Sequence, residues 1–474
     1  MEESRKRRAL FGVMLTIFLG AMESTVVATA MPTVVASLGG LAIYSWVFSG
    51  FLLTSTVTMP LWGRVSDLLG RRRVYLAGLV VFLVGSALSG AATTMVQLIV
   101  FRMLQGLGAG SLITLGMTVV GDLYGLERRA KMQGYISGVW GIASLVGPLI
   151  GGVLSDLASW RWVFYINVPF GLIAMAVIAS ALPPDVRRAR APIDYRGLAL
   201  FATAISALLV GLAQAGRAGR WTGADVVVPL AAAALALVAF FPVERRAAEP
   251  VVPLRLFAHR MVVAAAATGF LSGMAMFGAI SFVPLFVQAV NGSTATRAGF
   301  VLTPFVLGWV AMSITGARLV LRVGYRALVV SGMACLAGAF LLFMRWSPAL
   351  TEGEAMRDML LGGIGMGLSM VPMLIGVQSA VPRADLGAAT SMTQFFRAIG
   401  GAIGLSIMGT VMAQRLDAGQ PMAFALHGVF VVGMVICVAA VLAAFLVPPG
   451  RARDLARGEA PGEPAVSGRM SDAR

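Results

Sequence analysis

Residues Leu10 to Pro32 form a mostly apolar run with a single acid, Glu23, inside it. A helix rises about 1.5 Å per residue, so about 20 such residues cross the hydrocarbon of a bilayer. In that layer every backbone polar group must be satisfied within the protein, which restricts a spanning segment to a helix or a closed barrel. A carboxylate placed there costs at least a few kcal/mol if charged, so it calls for a function, a partner or a proton. The alternative is an acid near the outer end of the helix that reaches the headgroup zone.

The run is not isolated. Of the 474 residues, 58% are hydrophobic and 12% charged, with a mean hydropathy of +0.86, values that exclude a soluble globular protein. The pattern predicts an all-α polytopic membrane protein with fourteen transmembrane helices. Six spans come first, near 9–30, 43–63, 74–92, 96–122, 132–156 and 161–182. Two follow near 197–216 and 224–242. Six more lie near 261–287, 298–317, 326–344, 356–378, 386–413 and 424–447. The expected domains are an N-terminal six-helix bundle (1–182), a linker carrying two inserted helices (183–252), a C-terminal six-helix bundle (253–448) and a disordered cytoplasmic tail (449–474). Arg5 to Arg8 precede a full-length span with no small-residue cleavage site after it, so the first run reads as a retained helix.

The net charge of +16 would suggest nucleic acid in a soluble chain, but here the basic residues lie between spans. With the N-terminus inside, 28 of the 37 basic residues fall in cytoplasmic segments, 7 in outer segments and 2, Arg102 and Arg397, within spans. This excess predicts an even number of spans with both ends cytoplasmic. A six-two-six arrangement suggests two homologous bundles, and such repeats in transporters flank a substrate site near the midplane. A weak internal echo agrees: a G-x-x-x-D-x-x-G-R stretch from Gly63 to Arg71 follows span 2, and Gly316 to Arg326 follows the second span of the last six. Cys335 and Cys437 stand alone in apolar stretches, which implies neither a disulfide framework nor a metal cluster.

Gly63, Asp67, Gly70 and Arg71 sit at the cytoplasmic end of span 2. Two glycines permit a tight turn and close helix approach, and Asp67 can meet a helix N-terminus or an arginine in one conformation and lose it in another. The alternative is a charged loop that only sets topology. This loop resembles the signature of the major facilitator superfamily, and the resemblance implies that Asp67 contacts the opposite bundle in the outward-open state. Glu23 with Thr25, Val27 and Pro32 resembles the span-1 motif of fourteen-span drug:proton antiporters, which usually carry Asp where this chain has Glu23. Arg102, Gln105, Gly106 and Gly108 are similar to that family's R-x-x-Q-G-x-G, whose arginine serves proton coupling. Gly141, Gly147, Pro148, Gly151 and Gly152 resemble its span-5 antiporter signature. Trp160, Arg161, Trp162, Ile166, Asn167, Val168 and Pro169 match its W-R-W…I-N-V-P lead-in to span 6. Together these motifs imply the major facilitator fold and proton-coupled multidrug efflux.

On their own terms, Glu23 lies roughly 21 Å up a helix that starts inside, and Arg102 roughly 9 Å down one that starts outside. Both therefore reach the outer half of a core about 30 Å thick, where pairing is possible directly, through water or through Gln105. Pro148 removes a backbone bond and the glycines around it allow close packing at a bundle interface. Arg397 lies near the midplane and serves either an inner cavity or the backbone carbonyls around it. Phe277, Gln288, Gln394 and Arg397, with Gln105, are candidate cavity residues. The spans of the later bundle offer no second carboxylate. No phosphate-binding G-K-[ST] loop and no H-E-x-x-H, C-x-x-C or G-x-S-x-G motif is present, so transport must draw on an ion or substrate gradient.

These readings predict a non-enzymatic, proton-coupled exporter of amphipathic or hydrophobic compounds in a bacterial inner membrane. It would have no cofactor, no metal and no nucleic-acid partner. A monomer is expected, with or without a periplasmic or envelope partner. Two alternatives stay open: export of an endogenous lipid or secreted metabolite, and a non-transporting receptor or scaffold.

Overall fold

The computed structural model describes residues 2–39, 46–183, 194–218, 220–247, 250, 252–293 and 295–449. Residues 184–193 of the expected linker and nearly all of the expected tail lie outside these residues. The described chain is helical throughout, without strands: α1 (Glu3–Leu38), α2 (Trp46–Leu69), α3 (Arg71–Ala91), α4 (Met95–Leu123), α5 (Leu126–Leu157), α6 (Trp162–Tyr165), α7 (Asn167–Ala181), α8 (Tyr195–Ala218), α9 (Ala224–Arg246), α10 (Arg260–Ala289), α11 (Ala295–Val323), α12 (Tyr325–Phe343), α13 (Glu352–Ala380), α14 (Leu386–Asp417) and α15 (Met422–Ala444). Short 3₁₀ segments, Leu254–Ala258 and Arg383–Asp385, lead into α10 and α14. Eleven segments, α6 and α7 counted as one, are long and apolar enough to cross a membrane. The three remaining long helices, α1, α2 and α5, have 36, 24 and 32 residues, length enough to cross as well.

Polar residues mark the helix ends. Thr94 caps α4 by accepting from the Gln97 amide at 3.2 Å. Thr351 and Glu354 form a reciprocal capping box at the start of α13, which satisfies two amides that would otherwise lack partners. Gly70 and Gly324, the paired glycines of the sequence echo, occupy equivalent turns with φ of 100° and 92°. A side chain is strained at such angles, so the echo marks a repeated local structure.

Helix packing repeats in the same way. The pairs α1–α5, α1–α7, α2–α4, α3–α4 and α3–α7 recur as α10–α14, α10–α15, α11–α13, α12–α13 and α12–α15. The two sets meet through α2–α14, α4–α14, α5–α11 and α5–α13. Small residues allow the closest of these approaches. A methyl group on Gly63 of α2 would lie 2.6 Å from the Gly387 carbonyl oxygen and 2.7 Å from Ser391 Cβ of α14.

The helices α8 and α9 pack on each other as a hairpin. Its first helix, α8, lies in the seam between α2 and α14. Ser406 of α14 donates to the Leu212 carbonyl at 2.6 Å, and Thr410 to the Ala215 carbonyl at 3.4 Å. Phe201 packs between Phe240 of α9 and Phe395 of α14, with ring centroids 5.7 and 5.3 Å away, and Val57 of α2 joins the cluster. By contrast α9 packs on α8 and turns outward a bare apolar face, with Leu235 and Val238 each 71% exposed. Such a face is suited to lipid rather than water.

Each hydroxyl-to-carbonyl bond from α14 should contribute about 0.5–1.5 kcal/mol to seating α8. The double variant Ser406→Ala, Thr410→Val is therefore expected to lower the thermal midpoint in detergent by a few degrees. It should also raise amide exchange selectively within 197–215. Exchange there at the wild-type rate would mean that apolar packing alone seats the hairpin.

Candidate functional site: a buried ion pair and an interbundle latch

Glu23 lies midway along α1, flanked by Met22, Val26 and Val27, all at most 2% exposed. A lone carboxylate among such neighbours would be untenable. Arg102 of α4 makes up the difference: its Nη1 donates to Glu23 Oε1 in a close ion pair, both side chains being 1% exposed. Gln105, one turn further along α4, accepts from the same Nη1 at 2.7 Å, and Arg102 Nε points to the Val47 carbonyl of α2 at 3.4 Å. The guanidinium lies 4.0 Å from the centroid of the Phe51 ring and 5.7 Å from that of Phe164. Aromatic faces near a desolvated cation replace part of its lost hydration.

The other oxygen of the acid is held as firmly. Asn167, the first residue of α7, donates through Nδ2 to Glu23 Oε2 at 2.6 Å and approaches Ser86 Oγ of α3 at 3.0 Å. Ser86 in turn donates to the Phe164 carbonyl at 2.9 Å. Only Ile166, itself in helical conformation, separates α6 from α7, and Asn167 is fully buried at the head of this segment. The expected Glu23–Arg102 pairing at matched depth is thus a direct contact, and Gln105 belongs to this cluster. Asn167 and Ser86 are its unforeseen members. Asn167 stood in the quoted I-N-V-P stretch, and an amide at the head of an apolar span was the available signal. Ser86 had none.

A second polar cluster lies where α2, α3, α4 and α14 meet. Asp67 accepts from the backbone amides of Gly387 at 3.2 Å and Ala388 at 2.9 Å, the first turn of α14. The carboxylate therefore meets both free amides and the positive end of a helix dipole. Arg71 closes on Asp67 and also donates to Asp122 Oδ2 at 2.8 Å and Ser66 Oγ at 2.6 Å. Beside it Asp385, immediately before α14, pairs with Arg255 at 2.8 Å and lies 3.5 Å from Arg64. Asp67 thus bridges from the first helical set to the second, with Gly63 giving the approach and Gly70 the turn. Asp122 and Asp385 went unpredicted because each reads as a loop charge.

The remaining candidates separate. Gly141 of α5 packs against Val310 of α11, where an added methyl would lie 2.6 Å from a valine methyl. Gly147 and Gly151 are buried along α5, which runs on as one helix. The side chain of Pro148, and residue 152 beyond its helical backbone, lie outside the described residues. Gln394 reaches from α14 to Met117 Sδ of α4 at 2.9 Å, and Gln378 of α13 to the Met117 carbonyl at 3.2 Å. Arg397 donates to Met370 Sδ at 3.4 Å, and Phe277 packs on Gly401. Gln288, near the end of α10, is exposed and apart from the others. One expectation needs correction: the later set does hold a buried acid, Asp358 of α13. It is 2% exposed and accepts from the Trp346 indole and from Arg357, both at 2.9 Å. Its neighbour Arg357 gave it the look of a helix-end charge.

The sequence model of the Major Facilitator Superfamily matches residues 13–405. The chain belongs to this family. It is 38% identical over 414 residues to the multidrug transporter protein MdtP of Bacillus subtilis (strain 168), covering 87% of this chain and 76% of that one. It is 34% identical to multidrug resistance protein 3 of the same organism, over 86% and 80% of the two chains. The solved structure of the human organic anion transporter MFSD10 (TETRAN) superposes with a TM-score of 0.68 over 94% of this chain and 100% of that one. At 19% identity it speaks to fold alone. The protein is a multi-pass membrane transporter of small molecules and not an enzyme.

Removing one partner of a buried ion pair strands the other, at about 3–5 kcal/mol. Arg102→Gln should therefore lower the thermal midpoint in detergent markedly, and Glu23→Gln, Arg102→Gln together should recover most of that loss. A double variant no more stable than Arg102→Gln alone would show that the two residues do not act as a pair.

Proposed function

We propose that this protein exports amphipathic or apolar compounds, of the multidrug type, in exchange for protons entering through Glu23. The observation that carries the reading is a carboxylate buried on α1, held by Arg102 of α4 and Asn167 of α7. Such a group releases its partner when it takes up a proton, and Arg102 can then rest on Gln105 and the Val47 carbonyl. A change at that point moves α1, α4 and α7 relative to one another. The names of the two Bacillus relatives support drug efflux, and the absence of a phosphate-binding loop in the sequence supports a gradient as the energy source.

In this reading the chain crosses a bacterial inner membrane fourteen times with both ends cytoplasmic. The cluster around Asp67 then lies inside, closed, and the form described here is the outward-facing one. Proton uptake from outside by Glu23 frees the substrate and permits the latch to open; proton loss to the cytoplasm accompanies reloading.

The direct test is dye transport in proteoliposomes under an imposed pH gradient, with ethidium and a neutral amphipathic dye as probes. Glu23→Gln, present in the membrane at wild-type level, is expected to lose gradient-driven transport at least tenfold. Wild-type pumping by that variant would remove Glu23 from coupling. Asp67→Asn weakens the hold on the α14 amides and on Arg71, so cysteines placed near 63 and 391 should become more accessible to a cytoplasmic thiol reagent. Unchanged accessibility would mean that Asp67 does not hold the latch.

A further inference from the structure

A cavity of about 410 Å³ lies at the base of the inserted hairpin, lined by Arg64, Glu244, Arg245, Ala247, Pro250, Pro253, Leu254 and Arg255. Its walls come from three parts of the chain: α2 supplies Arg64, the end of α9 supplies Arg245, and the 3₁₀ segment before α10 supplies Arg255. Three guanidiniums face one lining carboxylate, Glu244, which is 2% exposed and accepts from the Val252 amide. Asp385 behind the wall engages Arg64 and Arg255, while Arg245 is exposed. Guanidiniums are the preferred partners of phosphate oxygens, because their planar donors match that geometry.

An exposed apolar face leads along α9 to the residues that line the cavity. One to two turns before Glu244, α9 turns outward Leu237, Val238 and Phe241, which are 43%, 71% and 44% exposed. A ligand with acyl chains along that face would bring its polar head to the arginines, the arrangement expected of a lipid held at a basic interhelical pocket. We infer that the cavity binds the phosphate headgroup of an anionic phospholipid. The bound phosphate joins α2, the hairpin and the start of α10. Since Asp385 stands two residues before Gly387, this lipid sits beside the Asp67 latch and favours its closed form.

The site is tested by binding alone, so the result is independent of whether the protein exchanges protons for drugs. Purified, delipidated full-length protein is titrated with phosphatidylglycerol or phosphatidylcholine and read by native mass spectrometry and thermal shift. Phosphatidylglycerol should remain bound with a thermal shift that phosphatidylcholine does not give. Arg245→Gln and Arg255→Gln should each weaken retention at least tenfold, whereas Arg246→Gln, exposed and outside the cavity, should change it less than twofold. Because Arg255 also holds Asp385, Arg245→Gln is the deciding variant should the other fail to fold. Equal retention of the two lipids, or wild-type binding by Arg245→Gln, overturns the inference. Inorganic phosphate at millimolar concentration that stabilises as well as the lipid would assign the site to free phosphate and overturn the lipid assignment.

Discussion

The first helical set is organised around one interaction, the ion pair between Glu23 and Arg102. These residues are 79 apart in sequence, and Asn167, which holds the second carboxylate oxygen, is 144 from Glu23. The pair therefore fixes α1, α4 and α7 against one another, with α2 and α3 tied in through the Val47 carbonyl and Ser86. In a water-excluded interior each charge alone would be prohibitive, and attraction offsets that penalty only when the leftover donors and acceptors are also engaged. A well-packed apolar replacement of such a network is often as stable or more stable. Stability is thus a poor reason for its presence, and the proposed proton exchange through Glu23 is a better one.

The Asp67 cluster works by a different balance. Its carboxylate shares Arg71 with Asp122 and takes two amides from the other helical set. Every one of these contacts can be replaced by water once the helices part, so opening costs far less here than at Glu23. The glycine approach at Gly63 makes the closed contact short, and that close fit is lost with a small separation. An interface with many replaceable polar contacts and little side-chain bulk suits repeated breaking.

What could be read from the sequence follows what local physics encodes. Helices were legible from apolar length, and the turns at Gly70 and Gly324 from glycine beside arginine. That Glu23 and Arg102 could pair was legible as a depth match, because helix rise converts residue count into height, but their contact was not. Depth does not encode azimuth, which is why Asn167 went unnamed: its role depends on which face of its helix meets Glu23. Asp358 was missed for the converse reason, since a charge next to Arg357 near a helix start reads as exposed until Trp346 is seen to cover it. The candidate residues Phe277, Gln288, Gln394 and Arg397 do not gather: Gln288, near the end of α10, is eleven residues beyond Phe277 on the same helix.

The hairpin is where sequence was least informative and where the structure adds most. Its two helices carry no charge in their cores, so nothing in composition distinguishes a seated helix from a floating one. Seating comes instead from α14, whose Ser406 and Thr410 reach carbonyls of α8, while Val57 of α2 offers only apolar contact. Directional bonds hold one partner and non-directional packing meets the other, so α8 belongs mechanically to α14 and can slide on α2. Under the proposed alternating access, a hairpin attached in this way follows the second helical set. Its basic foot then travels with α14 against Arg64 of α2, and the charges lining that cavity part or close as the Asp67 latch does.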